Sequence, residues 1–543
     1  MVARGQLNPR HPYRLEALHG QSKAATSPSD RRLKWGDMTR REVLVATVAA
    51  TGLRAGGFAS GPLDLDFASA LDAAAAIRRK RISSVELTER MLARIERYNP
   101  QLDAFVYVTR ERALREAHKS DETVARGEPL GVFQGVPFAI KESFAVKGEP
   151  DTWGIPELRN TKAPADSAAV ERLAAGGAVL TGGTNVPLNL MDWQSYNAIY
   201  GTANNPWDLS RTPGGSSGGS AAALAAGLAY LSVGSDIGGS LRVPAMFCGV
   251  YSHKPTIDLV PTRGQIPGGF AGLHGFSTGL AVAGPMARSA RDLAAALALL
   301  GGPDGYDRKG WSWKMPPPRH RRLKDFRVGF VMDDPMAPPT SEVKPVLERA
   351  VTALERAGVQ VRAGWPSGYE LSQAAYVDQF LLSAFNFTQE PAEQQALERN
   401  IFEKGGNAWA DGALASYEQW QKQRFQQLAY RQKWQDYFEG LDVFLMPAAF
   451  SVAFRHIHDG DMNTRSVDTP QGKRPYMDFM PWIVTPTLTG CPSTTAPIGL
   501  TATGLPVAIQ VMGPFGEDAT PIEFAALLAD EIGGFAVPPG YTA

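Results

Sequence analysis

The apolar and polar residues of this chain follow two different periods. Ser83 and Glu86 are spaced as a helix capping box, and apolar residues then recur every three or four positions from Leu87 to Ile95. Short, unbroken apolar runs such as 136–140 indicate buried strands instead. Because the two patterns alternate along the chain, the sequence predicts an α/β fold rather than an all-helical one.

Other elements follow from the same reasoning. Ser289 is placed to cap a helix, and a strand, a helix and a second strand between residues 327 and 361 predict a β–α–β unit. Strands are predicted at 178–180, 230–233, 327–332, 359–361 and 441–446, and helices at 166–176, 343–354 and 522–532.

The chain divides into an N-terminal extension, 1–60, and one large domain, 65–540. Most of the extension is polar and proline-bearing, so we expect it to be disordered. Inside the domain, the Gly-, Pro- and basic-rich stretch near 302–325 is the expected crossing between two lobes. The region near 370–440 is expected to form long helices on the substrate side.

Paired arginines precede a modest apolar stretch in the extension. Arg40 and Arg41 are followed by the run 43–53 and then by small residues at 55–60, which is typical of a twin-arginine export signal. The run is too short to cross a bilayer. We therefore expect a periplasmic or exported protein whose true start is Met38. The alternative is a surface amphipathic helix in a cytoplasmic protein.

Composition narrows the class of protein. Of the 543 residues, 44% are hydrophobic and 20% charged, which indicates a folded globular chain, and the formal net charge of +0 argues against a nucleic-acid surface. Cys248 and Cys491 form no metal or redox motif, so we expect two free core residues. His456 and His458 are close in sequence but are weak evidence for a metal, and no metal is predicted.

The most unusual stretch, 211–242, carries two glycine clusters that contain serines. The clusters are 214–220 and 234–240, and an alanine-rich segment and a short apolar run lie between them. Glycine costs backbone entropy, so clustering it twice indicates a close approach of the main chain to a ligand. The ordered segment in between excludes a flexible glycine-serine linker.

Serine is a poor nucleophile unless a base takes its proton. His253 is the only histidine near the stretch, and no Ser-His-Asp arrangement is evident. Lys141, where the apolar run 136–140 ends, can be that base if its pKa lies well below the ordinary value of about 10.4. Glu142 beside it is expected to oppose that shift. Taken alone, Lys141 is better explained as the exit of a strand to solvent.

Several blocks of the chain resemble the amidase signature family. They are the first cluster, 214–220, the second cluster with the residues that follow it, 234–245, and the segments 135–141, 284–286 and 504–506. The similarity covers the chain from about 65 to 535. It implies the family's fold, a large mixed β-sheet with helices on both faces in an α/β/α sandwich.

The resemblance also implies a Ser-cisSer-Lys triad. Ser240 is then the nucleophile, Ser216 relays the proton from a cis peptide bond with Gly215, and Lys141 is the base. The implied oxyanion hole consists of the backbone N–H groups of Ile237, Gly238, Gly239 and Ser240.

Other positions take supporting roles in the same comparison. Asp236 and Arg242 are expected to be structural supports, and Ser217 a hydrogen-bonding neighbour of the triad. Residues that choose the substrate are expected in variable segments, with Met191, Asp192 and Trp193 as candidates.

Three positions depart from the family pattern. Glu142 stands where aspartate is common, Gly183 where lysine is common, and Leu188 replaces an acidic residue. They lie outside the triad, so we expect effects on packing and pocket shape rather than on the chemistry.

The implied activity is hydrolysis of a carboxylic amide through a serine acyl-enzyme, with release of ammonia or an amine. No metal or organic cofactor is expected. The expected partner is a small-molecule amide, with no nucleic acid and no stable membrane insertion, and a homodimer is left open. Aliphatic, aryl and peptide amides and cyclic oligomers all remain open as substrates.

Three alternatives stand beside this interpretation. One is the amidase subunit of a tRNA-dependent glutamine amidotransferase, against which the export signal and the absence of basic patches argue. The second is an α/β-hydrolase-like esterase, since 214–218 fits G-x-S-x-G, although no strand directly precedes it. The third is a binding protein without catalysis, which the intact lysine and serines oppose.

Overall fold

The computed structural model of the chain describes residues 64–265, 277–386 and 392–542. In these residues the predicted α/β class is confirmed, because one mixed sheet of 11 strands is flanked by helices in an α/β sandwich. The predicted extension and export signal at 1–60 lie outside the described residues. None of the helices in the described ranges has the length and apolar character needed to cross a membrane.

The strands are numbered in chain order, and four short ones form two separate pairs, β4 with β5 and β12 with β13. The strands are β1 (Phe105–Val108), β2 (Pro137–Lys141), β3 (Val179–Thr184), β4 (Tyr196–Asn197), β5 (Gly201–Thr202), β6 (Leu231–Asp236), β7 (Tyr251–Lys254), β8 (Val282–Ala287), β9 (Arg327–Phe330), β10 (Gln360–Ala363), β11 (Val443–Pro447), β12 (Ser466–Thr469), β13 (Gly472–Pro475), β14 (Ser493–Leu500) and β15 (Pro506–Met512). The order across the large sheet is β1-β3-β2-β6-β8-β7-β14-β15-β11-β9-β10.

The helices surround this sheet. They are α1 (Ala70–Arg78), α2 (Ser84–Leu102), α3 (Arg110–Ala125), α4 (Ala168–Ala175), α5 (Gly218–Ala225), α6 (Arg242–Cys248), α7 (Ala290–Leu300), α8 (Lys344–Arg356), α9 (Leu371–Asn386), α10 (Ala392–Glu403), α11 (Ala408–Ala413), α12 (Tyr417–Gly440), α13 (Pro481–Thr489) and α14 (Ala519–Ile532). The predicted capping box at the start of α2 is confirmed, since Ser83 and Glu86 bond reciprocally.

Strand β2 has buried side chains along its whole length, and this explains its unbroken apolar sequence. It pairs in parallel with β3 on one side and with β6 on the other. The carboxyl ends of all three strands therefore meet at one edge of the sheet. Lys141 at the end of β2 and Asp236 at the end of β6 both lie there.

Two predicted boundaries around the glycine clusters need correction. The strand predicted at 230–233 runs from Leu231 to Asp236, so it takes in the start of the second cluster. The alanine-rich helix is α5, and it begins inside the first cluster at Gly218. Every residue of α5 and β6 is buried, which small side chains make possible next to the sheet.

The predicted β–α–β unit is confirmed by β9, α8 and β10, whose strands are parallel with Arg327 opposite Gln360. The stretch 302–325 contains two 3-10 turns, and the strands before and after it belong to the same sheet. Helices α9 to α12 occupy the region from 371 to 440. Cys248 and Cys491 are buried and unpaired, as predicted.

Candidate active site

Lys141 is buried at the carboxyl end of β2 rather than leaving the sheet for solvent. Its side-chain nitrogen donates to the Ser216 hydroxyl at 2.7 Å and to the Ser235 hydroxyl at 2.9 Å. The surface explanation for this lysine is therefore wrong. A neutral lysine amine at such a distance can accept a proton from a hydroxyl group.

Ser235 is the member of this cluster that sequence reasoning missed. It lies on β6, where Val233 is opposite Ile140 of β2, so the two strands bring it level with the lysine. The only signal in the sequence is its place in the second glycine cluster.

Burial lowers the pKa of Lys141 to about 7, against the opposing charge of Asp236. The sequence predicts that Glu142 opposes the lowering of the Lys141 pKa, but the Glu142 side chain bonds to other groups. Its carboxylate accepts hydrogen bonds from the N–H groups of Thr152 and Trp153 at 2.8 and 2.9 Å. Burial raises the pKa of Glu142 itself to about 7.

The first glycine cluster is held against the second by its backbone. The peptide bond between Gly215 and Ser216 is cis. The N–H of Ser217 donates to the carbonyl of Ser240 at 3.2 Å, which joins the two clusters directly. The Ser217 hydroxyl turns toward the carbonyl of Ser235 at 3.4 Å, so Ser217 is a neighbour of the lysine cluster.

A buried ion pair supports the loop that carries Ser240. Arg242 and Asp236 are fully buried and lie 2.8 Å apart. Burial favours the neutral acid, but the Arg242 charge outweighs it and holds the pKa of Asp236 below its ordinary value. Arg242 also donates to the carbonyl of Ile483, to Gln510 and to Thr487. These contacts tie the loop to α13 and β15, and the supporting role of the pair stays a prediction.

The four predicted oxyanion donors are not equivalent. The N–H of Gly239 donates to the Asp236 carboxylate at 3.0 Å, so it is already engaged. The N–H groups of Ile237, Gly238 and Ser240 have no acceptor within the described part of the chain. A Cβ on Gly238 would meet no atom of the described residues within 4 Å, whereas one on Gly239 would lie 2.7 Å from Ile483. Among the residues that the structure describes, open space therefore adjoins Gly238.

The three predicted pocket residues lie in different surroundings. Met191 is exposed and takes no part in the cluster. Asp192 is buried and accepts from Arg465 at 2.5 Å and from the Tyr476 hydroxyl. Trp193 is buried and donates its indole N–H to the carbonyl of Gly238 at 2.7 Å.

None of the histidines in the described ranges bonds to Lys141, Ser216 or Ser240. His253 is buried on β7, where its ring nitrogens contact the Thr494 hydroxyl at 2.9 Å and Asp518 at 3.1 Å. Burial lowers the pKa of His253. Across residues 64–265, 277–386 and 392–542, no group of three or more His, Cys, Asp and Glu side chains is arranged to hold a metal ion.

Comparison with known proteins identifies a family match over most of the chain. The family model described as Amidase matches residues 86–521. A glutamyl-tRNA(Gln) amidotransferase subunit from Cyanothece sp. is 31% identical over 464 residues, which cover 80% of this chain and 92% of that protein. The protein of the same name from Anaeromyxobacter sp. is 32% identical and covers 86% of this chain and 97% of that protein.

Solved structures show the same similarity in three dimensions. A bacterial aryl acylamidase described as belonging to the amidase signature enzymes superposes with a TM-score of 0.73 at 25% identity, covering 88% of this chain and 99% of that one. A 6-aminohexanoate cyclic dimer hydrolase superposes with a TM-score of 0.71 at 25% identity, covering 88% and 100%.

Proposed function

The chain belongs to the amidase signature family of hydrolases, which act on amide C–N bonds, and we propose that it cleaves a small-molecule amide by acyl transfer to Ser240. The observation that carries this proposal is the buried Lys141 amine, which lies 2.7 Å from the Ser216 hydroxyl. A base and a hydroxyl relay next to a serine-bearing loop are the parts that serine activation needs.

The proposed course starts from neutral Lys141. The lysine accepts a proton from Ser216, which accepts one from Ser240 as that oxygen attacks the amide carbon. The N–H groups of Ile237, Gly238 and Ser240 stabilise the charge that develops on the carbonyl oxygen. The leaving amine or ammonia takes the proton back through Ser216, and water then hydrolyses the acyl-enzyme.

A reaction with a fluorophosphonate probe tests the assignment of Ser240. The probe should label Ser240 in the wild-type protein, as located by peptide mass spectrometry, and should not label Ser240→Ala. A panel of aliphatic, aryl, peptide and cyclic amides then identifies the substrate by release of ammonia or amine. Labelling at another serine, or an unchanged burst of amine from Ser240→Ala, would overturn the proposal.

A second candidate is the amidase subunit of a glutamyl-tRNA(Gln) amidotransferase. The observation in its favour is the identity of about a third to several subunits of that enzyme over most of their length. The two candidates differ in what activity requires. A purified chain that hydrolyses simple amides alone supports the first. Activity that appears only with partner subunits and charged tRNA supports the second.

Export is a further part of this proposal. Its support is the pattern that begins at Arg40 and Arg41, in residues outside those that the structure describes. Fractionation of cells that express the wild type or the double variant Arg40→Lys/Arg41→Lys tests it. The wild type should reach the periplasm and the variant should not. Equal periplasmic amounts of the two would contradict the twin-arginine hypothesis.

Sedimentation of the purified chain decides whether it forms a homodimer.

A further inference from the structure

The peptide group between Gly238 and Gly239 is held at both of its polar ends. The Trp193 indole N–H donates to its carbonyl at 2.7 Å, and its own N–H donates to the Asp236 carboxylate at 3.0 Å. Since a peptide group is planar, two bonds on opposite ends fix the orientation of the whole plane. The next peptide group along the chain, between Gly239 and Ser240, carries the N–H of Ser240.

Such a clamp is needed because the loop has little stiffness of its own. Two consecutive glycines, 238 and 239, allow many backbone conformations at similar energy. An oxyanion hole, in contrast, works by holding its N–H donors in place before the charge develops. External hydrogen bonds on the glycine peptide are one way in which the chain can provide that rigidity.

The indole that makes one of these bonds is itself immobilised. The Trp193 ring is buried, and its centroid lies 5.4 Å from that of Tyr476 and 5.6 Å from that of Phe479. The preceding residue, Asp192, is bound by Arg465 and by the Tyr476 hydroxyl. The loop that carries Trp193 is thus anchored to a distant part of the chain.

We propose that Trp193 is a positioning residue, whose indole N–H orients the Gly238–Gly239 peptide so that the neighbouring N–H groups of Gly238 and Ser240 face the substrate oxygen. This role differs from the choice of substrate, which the sequence predicts for Trp193. The inference rests on the proposed function, because it requires a nucleophile at Ser240. It adds a residue that acts on the transition state without touching the substrate.

The substitution Trp193→Phe tests the inference because it keeps an aromatic ring and removes the N–H. We expect kcat to fall roughly 10- to 100-fold. This fall should not exceed the loss that follows from deleting an oxyanion donor itself. KM should stay within about twofold, since the ground state does not use the donors. The rate of fluorophosphonate labelling should fall with kcat, because the phosphonate oxygen uses the same donors.

Trp207→Phe is the matched control. Trp207 also donates its indole N–H to a backbone carbonyl, that of Cys248 at 3.0 Å, at the far end of α6 from Ser240. Its loss should change stability by a similar amount and leave kcat within about twofold of the wild-type value.

Three outcomes would overturn the inference, and a fourth would overturn the proposed function beneath it. An unchanged kcat in Trp193→Phe overturns the inference, and so does a change confined to KM, which would make Trp193 a pocket wall. Equal losses of kcat in both tryptophan variants would also overturn it, since they would indicate general destabilisation. If the wild-type chain neither hydrolyses amides nor labels at Ser240, the proposed function fails first, independently of Trp193.

Discussion

The side-chain nitrogen of Lys141 lies 2.7 Å from the hydroxyl oxygen of Ser216, and both groups are buried. The direction of this hydrogen bond depends on the charge of the lysine. A charged amine can only donate, whereas a neutral amine can accept the serine proton. Because the pKa of Lys141 is about 7, both states are populated near neutral pH.

We therefore expect kcat/KM to rise with pH through about 7 as Lys141 loses its proton. The same lysine titrates near 10.4 in the unfolded chain. Between these values the unfolded state binds more protons, so the contribution of Lys141 to stability rises with pH. Initial rates from pH 5.5 to 9 measure this rise of kcat/KM with pH, which is the limb of the pH profile discussed below.

Glu142 needs a control in this experiment because its pKa is also about 7. Glu142→Gln should keep the limb, since its carboxylate bonds to Thr152 and Trp153 rather than to the lysine. Lys141→Met should abolish most of the activity and the limb with it. Loss of the limb in Glu142→Gln, with the limb retained in Lys141→Met, would contradict the role of Lys141 as base.

Ser235 should influence the reaction through Lys141. Ser235→Ala removes the hydrogen bond of 2.9 Å to the lysine nitrogen. A bond to a charged group contributes about 1.5–3 kcal/mol, so we expect activity to fall at least roughly tenfold. The limb should also move to lower pH, because the hydroxyl accepts from and stabilises the charged amine.

Ser232→Ala is the control for that substitution. Ser232 lies on the same strand and is buried, but its hydroxyl has no hydrogen-bond partner within the described residues. It should leave the rate and its pH dependence nearly unchanged. Equal effects of the two substitutions would mean that the strand, and not the Ser235 hydroxyl, determines the activity.

The sequence predicts single elements better than the way in which they meet. The strand that ends at Lys141 can be recognised because a strand buried on both faces is an unbroken apolar run. Its pairing with β6 depends on contacts between segments far apart in the chain. Ser235 could not be assigned without that register, although it lies in a cluster that the sequence singles out.

The direction in which a side chain points is the second property that the sequence does not predict. The sequence predicts residues 191–193 as candidates for choosing the substrate, but it does not predict that Met191 is exposed while Trp193 is buried and bonded to Gly238. Those directions depend on packing against Tyr476, which comes much later in the chain. In the same way, Glu142 follows the lysine in sequence, yet Asp236 is the acid that acts on it.

Loss of the buried ion pair should destabilise the protein strongly. Asp236→Asn leaves Arg242 without its partner in a fully buried position. Removing one member of a buried pair costs about 3–5 kcal/mol in the free energy of unfolding. Denaturant unfolding of the variant and the wild type measures this loss in the free energy of unfolding. Glu122→Gln, in an exposed pair with Arg126, should cost less than about 1 kcal/mol, and a similar loss in both would contradict the argument.

The two glycines before Ser240 should respond differently to alanine. Gly239 has a φ of +86°, and an added Cβ would lie 2.7 Å from Ile483. Gly239→Ala is therefore expected to lose at least about 1–2 kcal/mol of stability from the left-handed backbone alone. At Gly238 an added Cβ meets no atom of the described part of the chain within 4 Å, so Gly238→Ala should change stability by no more than about 0.5 kcal/mol.

The methyl group of Gly238→Ala would instead occupy the open space beside an oxyanion donor. We expect KM to rise with the size of the acyl group across a series of amides, because large groups compete with the methyl for that space. Steady-state kinetics on the series, together with denaturant unfolding, separates this effect from misfolding. A KM that does not depend on acyl size, in a variant of wild-type stability, would mean that the substrate approaches Ser240 from another side.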